Sequence, residues 1–308
     1  MSNEPQVAVA FVVREKFGWA LASLVRIYRF ADVAFRLYFV DCGYPKPVVA
    51  EIDRFLADKD NVVRLVSPAF LLPNESLNLL LPRVTERYVC IVQNDVLVGR
   101  GFLGEQLATF ARHGCDIVQP HTDEIDGETG AMRPHRHEYT DTGIVRQGGR
   151  LLVQVPAGDL PPTLSEVRRI RHFELHTLML TTRAARQMSP LPAINSREHV
   201  DLAVHAHARD FVAYVNERAR AAYVLPPIRD DDAEYFRFRW DERLALRSHE
   251  LVMQRWRIAN MPTAMSFVVQ HRRFLDPRLV RRTAPDSAAW SEADIYDDAN
   301  WPRRAPTC

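Results

Sequence analysis

The stretch Y-V-C-I-V-Q-N-D-V-L-V, Tyr88 to Val98, sets the architecture of the whole chain: an apolar and aromatic run leads into Gln93-Asn94-Asp95 and then into a second apolar run. A continuous run of this kind reads as a strand buried on both faces, in the middle of a mostly parallel sheet. Open α/β sheets bind ligands beyond the carboxyl ends of their strands. A short carboxylate delivered there by a rigid strand can hold a divalent cation against a phosphate, which makes Asp95 the first candidate ligand.

The segments on the amino-terminal side build the same kind of sheet. Val7 to Val13 is a second buried run, Trp19 to Phe30 carries apolar residues at helical spacing, and Phe35 to Val40 is a strand ended by Asp41-Cys42-Gly43. Strand, helix, strand is a βαβ unit, which builds parallel sheet through a right-handed crossover. A helix over Pro47 to Leu56, a strand over Val62 to Val66 and a helix over Leu77 to Val84 then lead into the organising strand.

Beyond Asp95 the pattern predicts a helix over Gly101 to His113 and a strand over Cys115 to Gln119. His121 to about Gly149 turns polar without periodicity and reads as a long loop, which in a compact domain is commonly functional. Leu151 to Val155, Leu175 to Thr181, Phe211 to Val215 and Ala221 to Leu225 read as strands. Glu198 to Arg209 reads as a helix opened by the capping pair Asn195-Ser196. From Ala233 to about Phe274 the pattern changes to long helices, and the tail beyond Arg281 shows little pattern. The organisation expected is a domain over 1–228, a helical extension over 229–280 and an irregular tail over 281–308.

Composition bounds the rest. With 308 residues, 47% hydrophobic and 26% charged, the chain falls in the soluble globular range and can bury a sizeable core. A net charge of +1 gives no electrostatic case for nucleic acid as a partner. Cys42, Cys90, Cys115 and Cys308 form no C-x-x-C pair and read as reduced thiols of a cytoplasmic protein. No apolar window reaches the roughly 18 residues of a membrane span. Oligomeric state is not legible.

In this order the motifs resemble those of the inverting sugar transferases of glycosyltransferase family 2, over roughly Val7 to Trp256. The resemblance implies a GT-A fold, α/β with a mostly parallel, Rossmann-like sheet, and a nucleotide-diphosphate-sugar donor with Mg²⁺ or Mn²⁺. It implies that Asp41 contacts the base, and that Asn78, which keeps the family spacing to Asp95, lies on the donor side together with Arg14. Gln93-Asn94-Asp95 stands where the family carries Asp-x-Asp, or Asn-Asn-Asp in rhamnosyltransferase-like members, so the last acid is the implied metal ligand. His249 is a candidate second ligand. Glu198-His199-Val200-Asp201-Leu202 matches the family's Glu-Asp-x-Asp-Leu, with His199 at the position of the general base and Glu198 its rival.

A neutral imidazole accepts a proton near working pH, so His199 suits that post. The acceptor, a glycan, lipid, natural product or peptide, is not specified. Other readings are a retaining transferase, a nucleotidyltransferase on a similar fold, or a nucleotide- or sugar-binding protein without turnover.

Overall fold

The computed structural model describes residues 5–127, 131–134, 143–147, 149–154, 166–226, 228–259 and 261–280. The first part alternates strand and helix: β1 (Val7–Val12), α1 (Ala20–Phe30), β2 (Phe35–Cys42), α2 (Lys46–Leu56), β3 (Val62–Ser67), α3 (Pro73–Leu80) and β4 (Tyr88–Gln93). A turn at Asn94-Asp95 ends β4 where the apolar run gives way to Gln93-Asn94-Asp95, and the second apolar run forms the short β5 (Val96–Val98). Next come α4 (Phe102–His113), β6 (Ile117–Ile125), β7 (Met132–Pro134), β8 (Gly143–Gln147), β9 (Arg150–Gln154), β10 (Val167–Ile170), β11 (Thr177–Thr181) and α5 (Thr182–Met188). The chain continues through α6 (Glu198–Ala208), β12 (Ala213–Val224), α7 (Ala233–Arg239), α8 (Glu242–Trp256), α9 (Met265–Arg272) and α10 (Pro277–Val280).

The main sheet runs in the order β10-β12-β6-β11-β4-β1-β2-β3. Its first half is parallel throughout, since β1 pairs with β2 and β4, and β2 with β3. β11 enters antiparallel between β4 and β6, so the sheet as a whole is mixed. The run Val7 to Val12 shows no exposed surface at any residue, which is what burial on both faces requires of a continuous apolar strand. Gly114, at φ 59, closes α4 in the left-handed conformation that glycine adopts most cheaply.

Two expectations change. The polar stretch after Gln119 is not wholly a loop: β6 runs on to Ile125, paired with β12 and β7. Its polar side chains tolerate burial because they are paired, His121 with Asp123 at 2.9 Å and Asp123 with Arg220 at 3.0 Å. Phe211 to Val215 and Ala221 to Leu225 belong to one strand, β12, whose register shifts between Asn216 and Arg220. Such an irregularity interrupts the side-chain alternation that a sequence pattern relies on. His135, His137, Cys308 and the tail lie outside the described residues. Cys42, Cys90 and Cys115 are buried free thiols. No helix among the described residues is long and apolar enough to cross a membrane.

Phe39 on β2 is fully buried against Phe11 and Tyr44. Phe39→Ala should therefore lower stability by about 3–5 kcal/mol, read as a lower urea midpoint at unchanged m-value.

Candidate active site

The turn after β4 is tied from both sides. The Asn94 backbone N–H donates to the Val12 carbonyl at 3.0 Å, and the Asp95 carbonyl accepts from the Val224 N–H at 3.0 Å. The Asn94 side chain clamps the segment after β1, accepting from the Arg14 N–H at 2.9 Å and donating to the Glu15 carbonyl at 2.7 Å. Asp95 is fully buried, and its Oδ2 accepts from Lys16 Nζ at 2.7 Å and from Arg14 Nη1 at 3.3 Å. Lys16, itself 1% exposed, also sits 3.1 Å from Glu15 Oε2.

Charges buried this closely set one another's ionisation. Burial opposes the charge on Arg14, yet Glu15 and Asp95 outweigh it and make the guanidinium more basic than usual. Burial likewise opposes ionised Glu15, and Arg14 and Lys16 outweigh it, holding that carboxyl below the ordinary range.

A cavity of about 520 Å³ lies at the carboxyl end of β4, with Arg14 and Gln93 in its wall. That volume suits a small organic ligand. Gln93 Oε1 lies 3.1 Å from His176 Nδ1, and the His176 ring stacks on Tyr223 at 3.9 Å. Glu174 Oε2 lies 3.8 Å from both His176 Nε2 and His199 Nδ1. The lining also draws on the start of α6 and on α7 and α9, through Ser196, His199, Arg239 and His271.

The start of α6 is not built as the capping pattern predicts. Asn195 donates instead to the carbonyls of Arg239 and Asp241, at 2.8 and 3.2 Å, and exchanges hydrogen bonds with Ser248. The residue at the cap position is Arg197, in a left-handed conformation at φ 65 and without a side-chain cap. Glu198 accepts from Arg239 Nη2 at 2.6 Å, and half-buried His199 faces the cavity. Asp201, expected at the catalytic end, turns to α8 and accepts from Trp256 Nε1 at 2.6 Å and Arg255 Nη1 at 3.2 Å. Burial raises its pKa despite those donors. Asp201 thus anchors α6 to α8.

Three further candidates lie away from the cavity wall. Asp41 pairs with Arg64, which also pairs with Asp53. Asn78 is spent on the loop after α5, donating to the Leu191 carbonyl and accepting from its N–H, both at 2.8 Å. His249 sits on α8 with its buried Nδ1 unpartnered and its pKa lowered by burial.

The divalent cation implied by the resemblance does not fit this donor set. Asp95 is fully buried and outside the cavity lining, its Oδ2 is held by an ammonium and a guanidinium while its buried Oδ1 has no hydrogen-bond partner, and His249 does not line the cavity either. Among the described residues no group of three His, Cys, Asp or Glu side chains is arranged to hold a metal.

Sequence pattern did not single out Glu15, Lys16, Glu174, Tyr223 or Arg239. For Glu174 a signal existed: H-F-E-L-H, His172 to His176, alternates polar with apolar residues at the period of an extended chain. Phe173 and Leu175 join the core, while Glu174 and His176, with Leu175 between them, line the cavity.

A family model, glycosyl transferase family 2, matches residues 19–175. No curated protein matches the chain. Among solved structures, the mannosyltransferase PcManGT from Pyrobaculum calidifontis, in complex with GDP-Man and Mn²⁺, aligns at a TM-score of 0.53 and 12% identity. That alignment covers 94% of this chain and 74% of the other. GalNAc-T7 with UDP, GalNAc and Mn²⁺ aligns at a TM-score of 0.60 and 10% identity, over 96% of this chain. This chain spans only 58% of the length of GalNAc-T7. At such identities the likeness shows the shared fold.

Lys16→Met leaves Asp95 with a single cation in a buried site and should cost about 3–5 kcal/mol. Adding Asp95→Asn should restore much of that loss, as read by a double-mutant cycle in urea. His205, on α6, faces Arg209 at 3.2 Å and Arg255 at 3.4 Å, and burial followed by these two cations lowers its pKa from 6.5 to about 4. The unfolded chain protonates this histidine first as pH falls, so its contribution is intact above pH 6.5 and drains away toward pH 4. Relative to His205→Gln, the wild-type protein should lose stability across that window in pH-dependent unfolding.

Proposed function

The chain belongs to glycosyl transferase family 2 and is a glycosyltransferase, and from that premise we propose that it moves a sugar from a nucleotide-diphosphate-sugar donor to an acceptor hydroxyl with inversion at the anomeric carbon. The observation that carries this is the cavity at the carboxyl end of β4, where the first donor-side candidates, Arg14 and Gln93, share one wall system with His199. A central strand delivers ligand contacts at that end because its helices cover both faces and leave only the strand tips open.

In the proposed step His199 takes the acceptor proton. The acceptor oxygen bonds to the anomeric carbon while the bond from that carbon to the diphosphate breaks, and its electron pair leaves with the diphosphate. Glu174 Oε2, 3.8 Å from His199 Nδ1, would need to close to hydrogen-bond distance in the donor complex to orient the ring so that Nε2 takes the proton. Glu198 is less suited, because its carboxylate is engaged by Arg239. Asp201 acts as a positioning residue through its hold on α8. Gln93 and Arg14 contact the donor, and Asn94 sets the backbone that presents Arg14. Residues 1–228 form the transfer domain, and 229–280 complete the cavity lining through Arg239, Trp240 and His271.

Uridine- and guanosine-diphosphate sugars head the donor panel, since the neighbours carry GDP-Man and UDP. NMR of the product should show the anomeric configuration opposite to that of the donor. His199→Ala should lower kcat by roughly 10²–10⁴-fold while donor binding persists. Full turnover in that variant, or a retained configuration, would defeat the assignment.

A further inference from the structure

Asp95 is the residue to which the resemblance assigns the cation, and in this chain an internal ammonium already holds its Oδ2, leaving only a buried Oδ1 without a partner. Lys16 Nζ lies 2.7 Å from Asp95 Oδ2, and both side chains are essentially without exposed surface. A diphosphate leaving group still needs positive charge and donated hydrogen bonds as its bond to the sugar breaks. The cavity lining offers those. Arg239 is 4% exposed and lines the cavity, and only its Nη2 is committed, to Glu198; its Nε and Nη1 have no hydrogen-bond partner. Ser196, 6% exposed and in the same lining, has an unpartnered Oγ.

Both groups sit beside the start of α6, an 11-residue helix that lacks a side-chain cap. The first N–H groups of a helix and its dipole favour an anion there. Arg14 lines the same cavity as Glu198 and Arg239.

Resting on the glycosyl-transfer function proposed above, we infer that this protein binds the diphosphate of its donor without a divalent cation, among Arg239, Ser196, the uncapped start of α6 and Arg14. With Nη2 held by Glu198, the guanidinium of Arg239 keeps N–H donors on Nε and Nη1 that point along different edges of the group, each able to meet a phosphate oxygen. Lys16 serves as the permanent counter-charge of Asp95 and keeps that carboxylate from repelling the phosphates. When the sugar departs, the bonding pair passes to a diphosphate oxygen that already faces these donors.

Titration calorimetry with pyrophosphate, UDP, GDP and dTDP, in EDTA and then with Mn²⁺, tests this on the full chain. At least one nucleoside diphosphate should bind in EDTA, with Kd changed less than about threefold by Mn²⁺. Arg239→Gln should weaken it about 10- to 100-fold, the effect of losing a hydrogen bond from a charged donor to the ligand. Ser196→Ala should weaken it severalfold, and since its hydroxyl has no partner in the protein the fold should not notice. That variant decides the matter should Arg239→Gln fail to fold. Binding that requires Mn²⁺, or that ignores both substitutions, overturns metal-free capture and leaves glycosyl transfer standing. If none of the four ligands binds in either condition, the donor cavity itself is wrongly assigned and both proposals fall.

Discussion

The contact on which the site depends is the buried ion cluster that joins Asp95 to Lys16 and Arg14 and draws in Glu15. Any one of these charges alone would face a desolvation penalty of several kcal/mol at this depth. Together they are two cations and two anions, and their burial is tolerable only as a set. The Asn94 amide makes the set possible by fixing the backbone at Arg14 and Glu15, so that the segment after β1 lies across the turn after β4. The same fixing delivers the Arg14 side chain to the cavity wall. Stability and ligand-facing geometry therefore share one group of side chains.

The carboxy-terminal helices are joined to that cluster rather than merely laid against the sheet. Trp240 Nε1 donates to Glu15 Oε1 at 3.0 Å, and Asp232 accepts from the Phe17 N–H at 2.7 Å. Burial raises Asp232 to about 6, partly offset by the N–H groups of Arg229 and Phe17. Asn195 then carries the connection onward, from the α7–α8 junction to the start of α6. A displacement of the segment after β1 would reach the cavity lining through these bonds. The helical extension thus contributes to the cavity lining, and the aromatic contacts of Phe17 with Tyr44 and Tyr235 pack beside this junction.

Much of the fold was legible because its strands are buried on both faces and its helices carry strong periodicity. β1, α1, β2, α2, β3 and β4 fall within a few residues of their sequence bounds. What the pattern could not reveal was the direction of side chains at a turn. Asn94 and Asp95 follow the strand, where alternation stops, so nothing in the spacing says whether Asp95 faces solvent or the interior. Asn78 shows a related limit: its spacing to Asp95 is preserved, but its amide serves the Ser189–Leu191 loop. Glu174, Tyr223 and Arg239 come from three distant segments and meet only in the folded chain. Their approach is a tertiary fact that no local pattern carries.

A carboxylate at a motif position has no fixed role apart from the charges that reach it. With solvent and phosphate in front of it, Asp95 would be a plausible ligand for a divalent ion, since such ions draw most of their remaining coordination from water and substrate oxygens. With Lys16 Nζ at 2.7 Å the same carboxylate is neutralised from within. Residue 16 decides between these states, although it is far from Asp95 in sequence and lies outside the motif. In the binding mode proposed above, a phosphate that receives no charge from an ion must obtain it from protein donors. Under the metal-free proposal the two unpartnered nitrogens of Arg239, buried in the cavity wall, are the donors that would meet that requirement.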